Sequence, residues 1–385
     1  MSRLPRDVWI IFATTLINRV GTMVLPFLAL YLTQGLGFPE RMAGLAITVY
    51  GVGGLIGAPI AGRLSDRVGP LRVMQLSLVM SGVCVVIVPL AHSLPVVLTL
   101  ILLWATTTEA VRPASMAALT SATPGAQRKA AIALHRLAIN LGMSVGPAVG
   151  GLLAVVSFTL LFVIDAATSV AAALLLTLLI QRRIGPVEAE RGSSATPGTA
   201  VLRNTRMLTF MVAMFLVGIV FFQFEAPLPL YVVGTLGLPT SFFGLLFVIN
   251  AALIIVLEVP LNLATSRWAA RHALVLGALL LAIGFGALAI ATTRVAIAVT
   301  VVIWTFGEMI LLPSSAAYVA DLAPADRRGD YMGAYYLAFG LALAIGPWAG
   351  TLFMERFGAP ALWAAVFAVG VCAAGIMAIG ADDLR

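Results

Sequence analysis

Apolar residues run through this chain in long unbroken blocks, and polar residues gather in the short gaps between them. The blocks fall near 9–33, 41–61, 73–91, 95–118, 131–155 and 159–181, then near 208–233, 241–263, 272–291, 295–319, 331–354 and 360–380. A helix rises about 1.5 Å per residue, so about 20 residues cross the roughly 30 Å of hydrocarbon in a bilayer. None of the blocks alternates apolar and polar residues with the period of two that a barrel strand needs. In lipid every backbone amide has to be bonded within its own segment or within a closed barrel. The pattern therefore predicts an all-α, polytopic membrane protein with twelve transmembrane helices.

Composition supports this reading, because 61% of the 385 residues are apolar and only 10% are charged, a balance no water-soluble domain needs. The net charge of +7 does not point to nucleic acid, since the basic residues do not collect on one solvated face. They collect in alternate loops instead. With the N-terminus in the cytoplasm, 18 of the 23 Lys and Arg fall in cytoplasmic segments, Arg41, Arg294 and Arg356 fall outside, and Arg19 and Arg112 lie within spans. The positive-inside rule then predicts a multi-pass protein of the cell membrane with both termini cytoplasmic. Arg3 and Arg6 precede an apolar run without a small-residue cleavage site, which reads as an uncleaved first span. Cys84 and Cys372 each sit inside an apolar block, so no disulfide framework is expected. His92 and His272 read as loop or helix-end residues and His135 as the start of the fifth helix, none at metal-ligand spacing. Neither a metal nor another cofactor is expected.

Sliding the chain against itself by 200 residues brings rare residues into register. Tyr31 meets Tyr231, Gly37 meets Gly237, Pro39 meets Pro239, Trp104 meets Trp304, Pro113 meets Pro313 and Ser115 meets Ser315. Pro124 meets Pro324, Arg128 meets Arg328, and Gly146-Pro147 meets Gly346-Pro347. The chain is a duplication: a six-helix bundle over 1–181, a polar cytoplasmic linker over 182–206 and a second six-helix bundle over 207–385. Six is even, so both halves enter the membrane in the same direction.

At this point the residues resemble a family. Gly62-Arg63-Leu64-Ser65-Asp66-Arg67-Val68-Gly69, between the second and third helices, is similar to the cytoplasmic loop signature of the twelve-helix major facilitator superfamily, although Pro70-Leu71 replaces its usual basic pair. In the second half Arg267 survives at the matching offset, while Ser266 replaces the acid. The resemblance implies a gate built on Gly62, Asp66, Arg67, Gly69 and Arg267. On the fifth span Gly142, Gly146, Pro147, Gly150 and Gly151 resemble the superfamily's antiporter signature, which implies export. The same spacing also makes a flat face for close helix packing, whatever the function. A functional monomer is the standard expectation for this architecture.

Ionisable groups within spans cost roughly 2.5–3.5 kcal/mol on insertion scales, so each needs a partner or a wet cavity. Arg19 lies beside Asn18 in the first helix, where a pairing with Glu109 or Asp165 is open to it. Glu109 and Arg112 are three apart on the fourth helix, close enough to neutralise each other or to meet a substrate. Asp165 lies in the sixth helix, Gln223 and Glu225 in the seventh and Glu308 in the tenth, and the last two acids have no basic residue within their own helices. A carboxyl group in an apolar medium can take up and release a proton near neutrality, which coupling to a proton gradient requires. Glu225, Glu308 and Asp165 are therefore the expected proton carriers, and Asn18, Arg19, Glu109, Arg112 and Gln223 the expected substrate contacts. The segments around Glu225 and Glu308 also resemble those that carry membrane acids in bacterial multidrug/proton antiporters.

No phosphate-cradling Gly-x-x-x-x-Gly-Lys-Ser/Thr loop and no nucleophile-base-acid set is present in the sequence, which argues against an ATP-driven pump and against an enzyme. The expectation is a carrier that exports amphipathic small molecules in exchange for protons by alternating access. The competing expectation is proton-coupled uptake of a small polar nutrient.

Overall fold

The computed structural model describes residues 4–123, 127–180, 201, 203–324 and 327–380. The linker expected over 182–206 lies largely outside these residues. Twelve helices are long and apolar enough to cross a membrane: α1 Arg6–Gly35, α2 Glu40–Val68, α3 Pro70–Leu90, α4 Leu94–Ala122, α5 Ala130–Val156, α6 Phe158–Leu179, α7 Thr205–Thr235, α8 Thr240–Thr265, α9 Ala270–Ala289, α10 Arg294–Leu322, α11 Arg328–Phe357 and α12 Ala359–Ile379. Among the described residues there is no strand, as the continuous apolar blocks require.

Several helix starts are set by local side chains that satisfy otherwise orphaned amides. The Ser157 hydroxyl accepts from the Thr159 amide at 3.2 Å, the Asn204 side chain from the Met207 amide at 3.2 Å, and the Thr293 hydroxyl from the Ala296 amide at 3.2 Å. Between α2 and α3 the chain reverses at Gly69, whose φ of 91° lies in the left-handed region, and Pro70 opens α3. A side chain at position 69 would be strained there, which gives the last glycine of the loop signature a conformational reason.

Helices α1 and α7 are interrupted. In α1 regular helix ends at Gly21, restarts at Val24 and loosens into a π-helical turn over Tyr31–Gly35. In α7 it ends at Phe221, tightens to a 3-10 turn over Phe222–Phe224, restarts at Pro227 and again loosens over Leu230–Thr235. The two breaks and the two loose turns coincide in the repeat register, as do the left-handed Gly37 and Gly237 that follow, with φ of 71° and 64°.

The helices group into two compact units, one formed by residues 1–38, 49–190 and 239–248, the other by 39–48, 191–238 and 249–385. The same packing scheme appears in each. α1 packs on α5 and α6, and α3 on α4 and α6; in the second unit α7 packs on α11 and α12, and α9 on α10 and α12. The first ten residues of the loop-and-α2 segment join the second unit because Gly44 lets α2 lie against Thr351 and the Pro347 carbonyl of α11, and Arg41 Nη1 reaches Glu355 Oε1 at 3.2 Å. By the same device Gly244 of α8 lies against Gly151 of α5, where a methyl group would come within 2.9 Å of backbone.

The glycine face of α5 is filled by α1. A Cβ on Gly146 would lie 3.0 Å from the Val20 carbonyl oxygen, one on Gly150 would lie 3.0 Å from the Phe27 ring, and one on Gly142 would strike Arg19. At Gly62 a Cβ would meet no atom within 4 Å. Replacing Gly146 by Leu should therefore lower the thermal unfolding midpoint of the detergent-solubilised protein, since overpacking costs about 1–3 kcal/mol. Gly62→Ala should leave that midpoint unchanged, and equal losses in the two variants would show that α5 does not depend on this contact.

Candidate functional site

Two carboxyl groups stand on the fourth helix of their respective bundles, each held by the second helix. In the first unit Tyr50 Oη of α2 donates to Glu109 Oε1 of α4 at 3.2 Å. In the second, Asn250 Nδ2 of α8 donates to Glu308 Oε2 of α10 at 3.0 Å and also reaches Thr305 Oγ1 at 3.0 Å. Tyr50 and Asn250 occupy the same position in the repeat, whereas the two acids are displaced by one residue. Glu308 therefore has a partner that its own helix does not reveal: a neutral amide from α8. A neutral donor can hold the carboxyl group without fixing its charge, as a guanidinium would.

The helix breaks hold the next group of candidates. Asp165 of α6 is buried, and its Oδ2 accepts from the Val24 amide at 3.5 Å, at the restart of α1. That amide is one of the donors a helix start leaves without a partner in its own helix. Glu225 lies in the corresponding break of α7 and is likewise buried. Gln223, expected among substrate contacts, is enclosed, and its Nε2 donates to the Ile219 carbonyl at 2.8 Å and to the Gly346 carbonyl of α11 at 3.0 Å. It ties the broken α7 to α11 and lines no open surface. Asn18 is also a buried interhelical tie, with Nδ2 donating to Ser169 Oγ of α6 at 3.2 Å.

The cations of the first bundle are arranged differently from the sequence expectation. Among the described residues neither Arg19 nor Arg112 comes within 4.0 Å of Glu109 or Asp165. Glu109 and Arg112, three apart, do not neutralise each other because Tyr50 draws the carboxyl toward α2. Arg19, Arg112, Thr14, Thr15, Ser115 and His135 instead border one small chamber. His135, near the start of the fifth helix, is only 2% exposed, with Nδ1 3.4 Å from Thr15 Oγ1 and Nε2 3.3 Å from Ser115 Oγ. The repeat carries the signal for it. Position 335 holds Tyr335, whose hydroxyl is 2.9 Å from Ser315 Oγ, so the same pair of positions joins the fourth and fifth helices of each bundle.

Of the loop residues implicated in gating, Asp66, Arg67 and Arg267 are exposed, and Gly69 supplies the turn. The antiporter-type glycines Gly142, Gly146 and Gly150 meet α1, and Gly151 meets Gly244, with Pro147 contributing its carbonyl to the same approach.

Known proteins align along nearly the whole chain. An uncharacterized MFS-type transporter of Bacillus subtilis, YqjV, is 27% identical over 364 residues, covering 91% of this chain and 87% of its own. The Na(+), Li(+), K(+)/H(+) antiporter of Planococcus maritimus is 23% identical over 359 residues, 84% of each chain. The multidrug resistance protein MdtG of Erwinia billingiae is 41% identical over a shorter stretch of 81 residues, 20% of each chain. Residues 10–261 and 235–381 match the profile of the Major Facilitator Superfamily. The twelve helices, the duplicated packing and these matches together place the chain in the Major Facilitator Superfamily, as a membrane transporter and not an enzyme.

Proposed function

We propose that this transporter is a secondary active antiporter that exports amphipathic, drug-like small molecules in exchange for protons by alternating access, from the cell membrane and with both termini in the cytoplasm. The observation that carries the reading is the Glu308 carboxyl within α10, held by the neutral Asn250 amide at 3.0 Å. An ionisable group kept inside a span costs several kcal/mol at mid-depth, and it is retained where its charge is used. When Glu308 binds a proton, the charge that disfavours moving this region through a dry environment disappears. When it loses the proton, the charged form favours a wetter arrangement. That difference is what a proton gradient can act on.

Two similarities support exchange and export. One relative is named for exchanging cations against protons, and another, over a shorter stretch, for multidrug resistance. The glycine face of α5 fits the antiporter signature on its residues. Asp165 and Glu225 join the scheme as further proton sites, the Asp165 carboxyl because it accepts from the Val24 amide where α1 restarts, and Glu225 because it is buried within the break of α7. Asp66, Arg67 and Arg267 serve as gating residues at the exposed ends of their helices. Proton-coupled uptake is the second reading, favoured by the two arginines within the first bundle.

Glu308→Gln keeps the shape and removes the proton site. In proteoliposomes it should reduce solute movement driven by a proton gradient by at least tenfold, while binding of the solute to purified protein persists. Gradient-driven movement at the wild-type rate would remove Glu308 from the coupling. Asn250→Leu should also lower coupled transport, by roughly ten- to a hundredfold, since a hydrogen bond to a charged group contributes about 1.5–3 kcal/mol. If Asn250→Leu transports normally with normal expression, the amide is a packing residue only.

A further inference from the structure

Between α1, α3, α4 and α5 the first unit holds a chamber of about 10 Å³, room for about one water-sized group. Its polar lining is dominated by donors. Arg19 and Arg112 both border it, and among the described residues neither lies within 4.0 Å of a carboxylate. The acids in the same bundle are engaged elsewhere, Glu109 by Tyr50 and Asp165 by the Val24 amide. Thr14 contributes a hydroxyl that is fully buried and has no hydrogen-bond partner. His135 closes the back of the chamber, its two ring nitrogens already shared between Thr15 and Ser115. Arg112 is exposed, so one of the lining side chains also reaches the surface of the unit.

Two guanidinium groups and an unused hydroxyl border a space the size of one oxygen atom, and among the described residues no carboxylate makes a salt bridge to either guanidinium. We infer that this chamber is the anion-binding subsite of the transporter: it takes one oxygen of a carboxylate or related oxyanion on the transported solute, and the apolar remainder of the molecule stays outside. Guanidinium forks suit such groups because they donate two parallel hydrogen bonds. This assignment rests on the reading of the chain as a carrier of amphipathic solutes and narrows it to organic anions. It does not depend on proton coupling at Glu308.

The test uses the full chain in phosphatidylcholine nanodiscs and two xanthene dyes of similar size and opposite charge, fluorescein and rhodamine 6G, followed by fluorescence anisotropy. Fluorescein should bind saturably, and at least tenfold more weakly in Arg19→Gln and in Arg112→Gln, with partial recovery in the Lys variants. Rhodamine 6G should be indifferent to these changes. Absence of saturable fluorescein binding, or equal binding in the Gln variants, overturns the assignment. If the arginine variants fail to fold, Thr14→Val decides: weaker fluorescein binding supports the subsite and unchanged binding overturns it. Inorganic phosphate that protects against thermal unfolding as well as fluorescein does would make the chamber the seat of a resident ion and overturn the solute assignment. Fluorescein binding that survives in Glu308→Gln, whatever that variant does to gradient-driven transport, keeps the subsite apart from the coupling proposal; loss of binding there overturns the subsite's independence.

Discussion

A backbone amide surrounded by hydrocarbon has no water to bond, and the whole architecture follows from that constraint. Ten of the apolar blocks meet it with uninterrupted helices, six of which carry one interior proline. The two that are interrupted, α1 and α7, have other protein groups at the breaks: the Asp165 carboxyl receives the Val24 amide, and the Gln223 side chain covers the Ile219 carbonyl. Interruptions of this kind persist inside a bundle and not on a lipid-facing surface. They put acids and amides at mid-chain depth without leaving a polar group stranded, which is why several functional candidates cluster at these breaks.

Close approach is the second organising device, and glycine provides it. Lipid offers no hydrophobic gain to helices that associate within it, so contact depends on van der Waals fit. The stripe on α5 lets α1 press its backbone against it, and the same helix meets α8 through Gly151 and Gly244. A motif that resembles an antiporter signature thus has a mechanical role that stands whatever direction the solute moves.

Much of this was legible in the sequence. Block length fixed the number and type of elements, because only a helix satisfies its own backbone over about 20 apolar residues. The offset of 200 foreshadowed the matched packing of the two units, since paired Trp, Pro and Gly residues report paired contacts. What could not be read was partnership across helices. Nothing near Glu308 in sequence announces Asn250, 58 positions away, and nothing near Glu109 announces Tyr50. A pairing of Arg19 with Glu109 or Asp165 was open in the sequence; in the structure the two carboxyl groups bond to the Tyr50 hydroxyl and the Val24 amide. The partners of His135 were hidden for a related reason: its place near the start of the fifth helix says nothing of Thr15 and Ser115, which lie on α1 and α4.

The displacement of the two carboxyl groups by one residue within an otherwise ungapped repeat has an evolutionary consequence. One step along a helix turns a side chain by about 100°, so Glu109 and Glu308 leave α4 and α10 from different points of the helix, yet each carboxyl reaches the equivalent residue of the second helix, Tyr50 or Asn250. The ancestral symmetry has been lost in charge as well: the spans of the first copy hold Arg19 and Arg112 in addition to the acids Glu109 and Asp165, while the second copy holds Glu225 and Glu308. Gene doubling thereby lets one copy acquire membrane cations that the other does without, so the two halves of a once symmetric framework answer differently to the same change of charge.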